Sequence, residues 1–137
     1  MKTLFLSETS VRSWLLAIVL GFVSGSVLYS KHIPRLFLHK NICENAPDQN
    51  PGASNVFVSC GVGWGLFCLA LDLFKAYLPV RLALHTLDTS SLWFAAVMAA
   101  PVAGHACGIF DGFHGGKCIA ASFGVMLALL DKTPIGL

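Results

Sequence analysis

Between Arg12 and Lys31 the chain runs for 18 residues, SWLLAIVLGFVSGSVLYS, without a single charge. As a helix, at about 1.5 Å per residue, this stretch reaches roughly 27 Å, close to the thickness of a bilayer's hydrocarbon core. Three more uncharged runs follow: 23 residues from Gln49 to Leu71, 22 from Thr89 to Phe110 and 13 from Cys118 to Leu130. In the third of the four, His105 is the only ionisable group. Charged residues make up 12% of the 137 and hydrophobic residues 55%, whereas a soluble domain carries about a quarter charged. There is too little polar side chain to coat a water-facing surface. Disorder is excluded by the same figures, since it needs low hydrophobicity and high charge. A net charge of +2 spread among apolar runs makes no basic stripe, so nucleic acid is excluded as a partner. The sequence predicts an all-α chain: one polytopic transmembrane helix bundle over residues 1–137, with about four spans in the lipid bilayer.

The first run is longer than the apolar core of a signal peptide and no A-x-A-like site follows it, so Ser13 to Ser30 is expected to be a retained span. Gly21 and Gly25 would give it a smooth face for close helix packing. The most polar stretch, Lys31 to Asp48, ends in turns bracketed by Pro47 and Pro51. Helix is expected from about Ser54 toward Leu78, with Pro79 stopping it. Asp72 and Lys75 share one face of that helix, where an ion pair would fasten it to its neighbours. The last run spans only about 20 Å as a helix, and Thr133-Pro134 follows, so the C-terminus reads as truncated. Lys31, Arg35 and Lys40 outnumber Lys2 and Arg12, which puts the 31–53 loop in the cytoplasm and the N-terminus outside. Alternation brings the Asp111–Lys117 loop to the same side. The five cysteines are odd in number and irregularly spaced, so they are expected to be free thiols among apolar neighbours. No CxxC pair or histidine cluster offers a metal site.

Two loops have the chemistry to meet an anion. Asn50-Pro51-Gly52-Ala53-Ser54-Asn55 turns directly into a helix, whose first N–H groups are unpaired, and Gly52 permits close approach to the main chain. Its simpler role is a proline turn with Ser54 or Asn55 as helix cap. Gly112-Phe113-His114-Gly115-Gly116-Lys117 offers bare amides beside a cation, which suits a phosphoryl group. It is not a P-loop, because the spacing differs and Cys118 follows the lysine. Its simpler role is a glycine-rich interhelical turn.

The strings NPGASNV, LALDLFKAYLPV and APVAGHACGIFDGFHGGKCIAASFG occur in that order. Together they resemble the PlsY family of membrane glycerol-3-phosphate acyltransferases, with a likeness running from about Gly21 to Leu130. The resemblance implies a multi-pass protein of the inner (plasma) membrane with its site on the cytoplasmic face. It implies transfer of a fatty acyl group from acyl-phosphate to the sn-1 hydroxyl of glycerol 3-phosphate, giving lysophosphatidic acid for phospholipid synthesis. Carried over by position, Asn50, Gly52, Ser54 and Asn55 belong to a substrate loop, and His105, Gly115, Gly116 and Lys117 to a phosphate site. Asn50, His105 and Lys117 are the residues expected to act in catalysis. Acyl-phosphate is already activated, so neither a covalent nucleophile, a cofactor nor a metal is called for. The protein would hold two anions together, orient the hydroxyl and stabilise an oxyanion. His105 would orient a group or shuttle a proton.

The chain departs from the family pattern at four places. Asp48 stands where the family usually has Ser, Glu44 falls near a usual Arg, Cys118 replaces a glycine, and a later Asn-containing segment has no counterpart before Leu137. These departures keep a second reading open: an inactive relative that binds an anion, a lipid or a partner. A third, a small channel or carrier subunit, would need a polar face along a span, and only Asp72 and Lys75 hint at one.

Overall fold

The structure is a computed structural model that describes residues 2–130, with side chains from residue 11 onward. The expectations about Thr133-Pro134 and the chain end lie outside the described residues. Six α-helices follow one another: α1 (Lys2–Ser26), α2 (Tyr29–Leu38), α3 (Ala53–Cys60), α4 (Val62–Thr86), α5 (Trp93–Cys107) and α6 (Ile119–Leu130). A 3₁₀ turn, Ile109–Asp111, follows α5, and no strand occurs among the described residues.

Small residues face inward and large apolar ones outward. The main core is built on Ala76, Val80, Ala83, Ala121 and Ala128, closed at one end by Trp14 against the edge of Phe94. Leu16 and Leu20 of α1, Phe74 and Leu82 of α4, and Phe123 and Met126 of α6 are all exposed. Water does not tolerate such a belt, whereas lipid does. Contact between the helices is close enough to require glycine. A Cβ on Gly25 would lie 2.0 Å from the Pro101 carbonyl oxygen of α5, and one on Gly104 would lie 2.0 Å from that of Phe22 in α1. Gly124 of α6 sits equally tight on Leu73 of α4, at 2.2 Å. The smooth glycine face expected on the first helix is therefore used, and α5 is what packs against it.

The helix boundaries differ from the sequence expectation in four places. The first span ends at Ser26 rather than Ser30. There Ser26 Oγ donates back to the Phe22 carbonyl, and the chain re-enters helix at Tyr29, bent by 43°. The continuous helix expected from Ser54 is broken at Gly61, whose φ of 89° favours glycine. Pro79 does not end α4, which continues to Thr86. Proline lacks the N–H that would bond the Lys75 carbonyl one turn back, and Ser24 Oγ of α1 donates to that carbonyl instead, at 2.7 Å. The first part of the polar stretch, expected to lead into a loop, forms α2.

The span through Trp93–Asp111 is long and apolar enough to cross a bilayer by itself, as is the bent pair Val11–Ser26 with Tyr29–Leu38 taken together. α4 is 25 residues long but carries Asp72, Lys75 and Arg81. α6 has 12 residues, about 18 Å of helix.

The contact between α1 and α5 predicts that Gly25→Val destabilises the protein by about 1–3 kcal/mol through overpacking. Gly63→Ala, where nothing lies within 4 Å, should be neutral or stabilising by up to about 1 kcal/mol. Thermal unfolding in detergent separates the two, and equal midpoints would contradict the packing.

Candidate functional site

The break between α1 and α2 leaves the Val27 carbonyl without a helical partner, and α4 sends a cation to it. Lys75 Nζ donates to Val27 O at 2.5 Å, pairs with Asp72 Oδ1 at 2.9 Å and lies 2.9 Å from His105 Nδ1 of α5. The Tyr29 ring stands 5.8 Å from the ammonium, within cation–π range. Ser30 Oγ of α2 donates to the other Asp72 oxygen, Oδ2. Asp72 Oδ1 has no hydrogen bond among the described residues and is compensated by the ammonium alone. Both side chains of the pair are only 1% exposed. The fastening role expected of Asp72 and Lys75 is present, and it extends to His105, a connection that spacing along the chain does not reveal.

Above this network the two expected loops meet. Asn50 Oδ1 accepts from the backbone N–H of Lys117 at 3.3 Å, joining positions 67 residues apart. A Cβ on Gly52 would lie 2.7 Å from Asn50 Nδ2, so glycine there lets the Asn50 side chain fold across the loop. Asn50, Gly52, Ser54, Asp72, His105 and Lys117 line one cavity of about 280 Å³. That is near the lower end of the roughly 300–1,000 Å³ typical of small-ligand sites. On the other side of the loop, Gly115 lines a second cavity of about 630 Å³ with Lys31, Glu44 and His114. Lys31 and His32 of α2 both bind Asp111, at 2.7 and 3.0 Å, and so hold α2 to the turn after α5.

Several expected roles change in detail. Neither Ser54 nor Asn55 caps α3, because Gly52 occupies the cap position and no side-chain bond is made there. Asn55 Nδ2 instead clamps the loop, donating to Asp48 Oδ1 at 3.0 Å and to the Asn50 carbonyl at 2.8 Å. The Gly116 amide, expected to cradle phosphate, donates to the His105 carbonyl at 3.1 Å. The two glycines act by clearance: a Cβ on Gly115 would lie 2.1 Å from the Ala106 carbonyl oxygen, and one on Gly116 would lie 2.4 Å from His105 Nε2. Cys118 adopts a left-handed φ of 64° and lines the cavity. All five cysteines are free, as expected.

Lys117 already has an anion. Its Nζ lies 2.6 Å from Asp48 Oδ2, and both side chains are exposed. Asp48 Oδ1 also accepts from the Asn50 backbone N–H at 3.2 Å. Lys117 first, then Asn55 and the Asn50 amide, hold the Asp48 carboxyl below the usual carboxylate range.

An outward apolar belt, glycine-tight helix contacts and a buried ion network beneath a polar cavity define a helical membrane protein. A family profile described as glycerol-3-phosphate acyltransferase matches residues 15–137. The chain belongs to that family. It is 36% identical over 112 residues to a glycerol-3-phosphate acyltransferase of Hydrogenobaculum sp., covering 81% of this chain and 56% of the relative. It is 37% identical over 115 residues to one of Desulfovibrio desulfuricans, covering 84% and 51%. The chain thus spans about half the length of these curated relatives. The crystal structure of PlsY (YgiH), an integral membrane glycerol 3-phosphate acyltransferase, in its glycerol 3-phosphate form, superposes with a TM-score of 0.79. The identity is 28%, over 88% of this chain and 59% of that one. The lysophosphatidic acid form of the same protein gives 0.76. Like these neighbours, the chain is a membrane protein.

Asp48→Asn keeps an acceptor for Asn50 and Asn55 but removes the charge held by Lys117. At pH 7 its affinity for inorganic phosphate is expected to rise several-fold over wild type, measured by calorimetry in detergent. Because the folded-state carboxyl titrates low, the wild-type tie persists as pH falls through the ordinary value of about 3.9 and opens only below it. Unchanged phosphate affinity in Asp48→Asn would contradict this account of the cavity mouth.

Proposed function

We propose that this chain carries the substrate-binding portion of a membrane acyltransferase acting on glycerol 3-phosphate. The hydroxyl of glycerol 3-phosphate attacks the carbonyl of an acyl-phosphate, forming the ester of lysophosphatidic acid and releasing inorganic phosphate. The observation that carries the reading is the meeting of the Asn50–Asn55 loop and the Lys117 turn over one cavity floored by His105. Lys117 supplies the cation for a phosphoryl group, displacing Asp48. Asn50 fixes the relation of loop to turn, Ser54 presents a hydroxyl to the cavity, and His105 faces the reactants from below. Both substrates are anionic and the donor is already activated, so positioning and charge neutralisation are the main demands on the protein. The basic residues of α2, Lys31 and Arg35, support a cytoplasmic site at the inner membrane with the N-terminus outside.

A second reading, an inactive relative that binds anions, is favoured by one observation: Asp48 occupies Lys117. The two readings part in one assay. Purified protein is given glycerol 3-phosphate with acyl-phosphate or with an acyl-thioester as donor. Turnover is expected with acyl-phosphate, and Lys117→Ala should reduce it by about a hundredfold or more while the protein stays folded in detergent. Saturable phosphate binding without turnover from either donor would establish the second reading. An undiminished rate in Lys117→Ala would overturn the role given to that lysine.

A further inference from the structure

His105 has two chemical roles open to it, accepting a proton or donating a hydrogen bond, and its buried neighbour separates them. We propose that Lys75, which does not itself line the cavity, is a positioning residue. Its ammonium fixes His105 as the Nε2–H tautomer, so that this imidazole offers the reactants a hydrogen-bond donor and not a general base. The inference rests on the acyltransferase reading only for what the donor acts upon.

The geometry fixes the tautomer from one side. Lys75 Nζ lies 2.9 Å from His105 Nδ1. A charged ammonium has three N–H donors and no lone pair. Its state is set by Asp72, whose Oδ1 lies 2.9 Å away with both side chains 1% exposed. A neutral amine at that position would leave the buried carboxylate without a compensating charge, with only neutral donors such as the Ser30 hydroxyl beside it. The Val27 carbonyl also requires a donor from the same nitrogen. With Lys75 as ammonium, Nδ1 must accept, because the opposite tautomer would set N–H against N–H. The ring proton then sits on Nε2.

That nitrogen faces the cavity wall. It lies against Gly116, where an added Cβ would come within 2.4 Å of Nε2 and 3.4 Å of Asn50 Oδ1. His105 lines the cavity with its Nε2 beside Gly116 and near Asn50, so an N–H there suits a phosphoryl or acyl oxygen. Ser30, Asp72, Lys75 and His105 form one line of buried polar groups from α2 through α4 to α5, and each member orients the next. The ligating arrangement is comparable in logic to a histidine whose far nitrogen is fixed by an outer partner.

The test is histidine ¹⁵N NMR of the full chain in detergent, with His105 assigned by the signals lost in His105→Gln. The wild-type protein is expected to show a protonated Nε2 and a bare Nδ1. In the double variant Lys75→Met, Asp72→Asn, which removes both buried charges together, the single tautomer should give way to a mixture. Lys75→Arg, which retains donors at this position, should keep the single tautomer. A protonated Nδ1 in wild type, or an unchanged tautomer in the double variant, would overturn the inference. Kinetics separate this from the functional reading. If the enzyme turns over, kcat should fall in the double variant and be retained in Lys75→Arg, with little change in KM. If wild type does not turn over, the NMR result still decides the tautomer, and only the acyltransferase reading fails.

Discussion

A lysine ammonium almost sealed from solvent must find its partners inside the protein, and Lys75 gathers them from four parts of the chain. It takes a carbonyl from the break after α1, a carboxylate from its own helix, an imidazole nitrogen from α5 and the face of an aromatic ring from the start of α2. The break explains why such a charge is tolerable. Irregular backbone within a helix bundle is stable only where its freed polar groups are satisfied, and here the cation satisfies them. Unwinding after Ser26 and burial of Lys75 are two sides of one arrangement. Ser24 repeats the device one turn away by covering the carbonyl that Pro79 leaves open.

Close helix approach makes this possible. α1 and α5 come within backbone contact because Gly21, Gly25 and Gly104 have no side chains to hold them apart. The same economy of volume at Gly124 seats α6 on α4. With the helices this near, short polar groups such as the Ser24 hydroxyl reach across to neighbouring backbones, and the large apolar side chains are left for the outer surface. His105 stands at the junction, one nitrogen on the buried network and the other against the cavity wall, so the stability of the bundle and the geometry of the site share residues.

Much of this was legible in the sequence, in particular where a local rule applied. The uncharged runs gave the helices and the class of protein, and the glycines of the first run marked the packing face. Asp72 and Lys75 at i,i+3 are visible as a pair, and the two loops stand out by their glycines and polar residues. What escaped was decided by contacts distant along the chain. Pro79 looked like a stop because nothing local shows that Ser24 will cover the freed carbonyl. Gly116 reads from the sequence as part of a cradle of amides, but its N–H is taken by the His105 carbonyl and its Cα lies against the His105 ring. Asp48 is legible in the sequence as an anion in the first loop. Its placement on Lys117 follows from the Asn50 and Asn55 contacts that shape the loop, and these appear only once it is folded.

Asp72 and Lys75 act as one unit around which the helices are arranged. A double-mutant cycle in detergent, with Lys75→Met, Asp72→Asn and the two combined, measures it most directly. Lys75→Met alone is expected to cost about 3–5 kcal/mol, because it strands a buried carboxylate. Adding Asp72→Asn should restore a large part of that loss, giving a coupling well above the roughly 0.3–0.5 kcal/mol seen for independent sites. Additive costs would contradict the account.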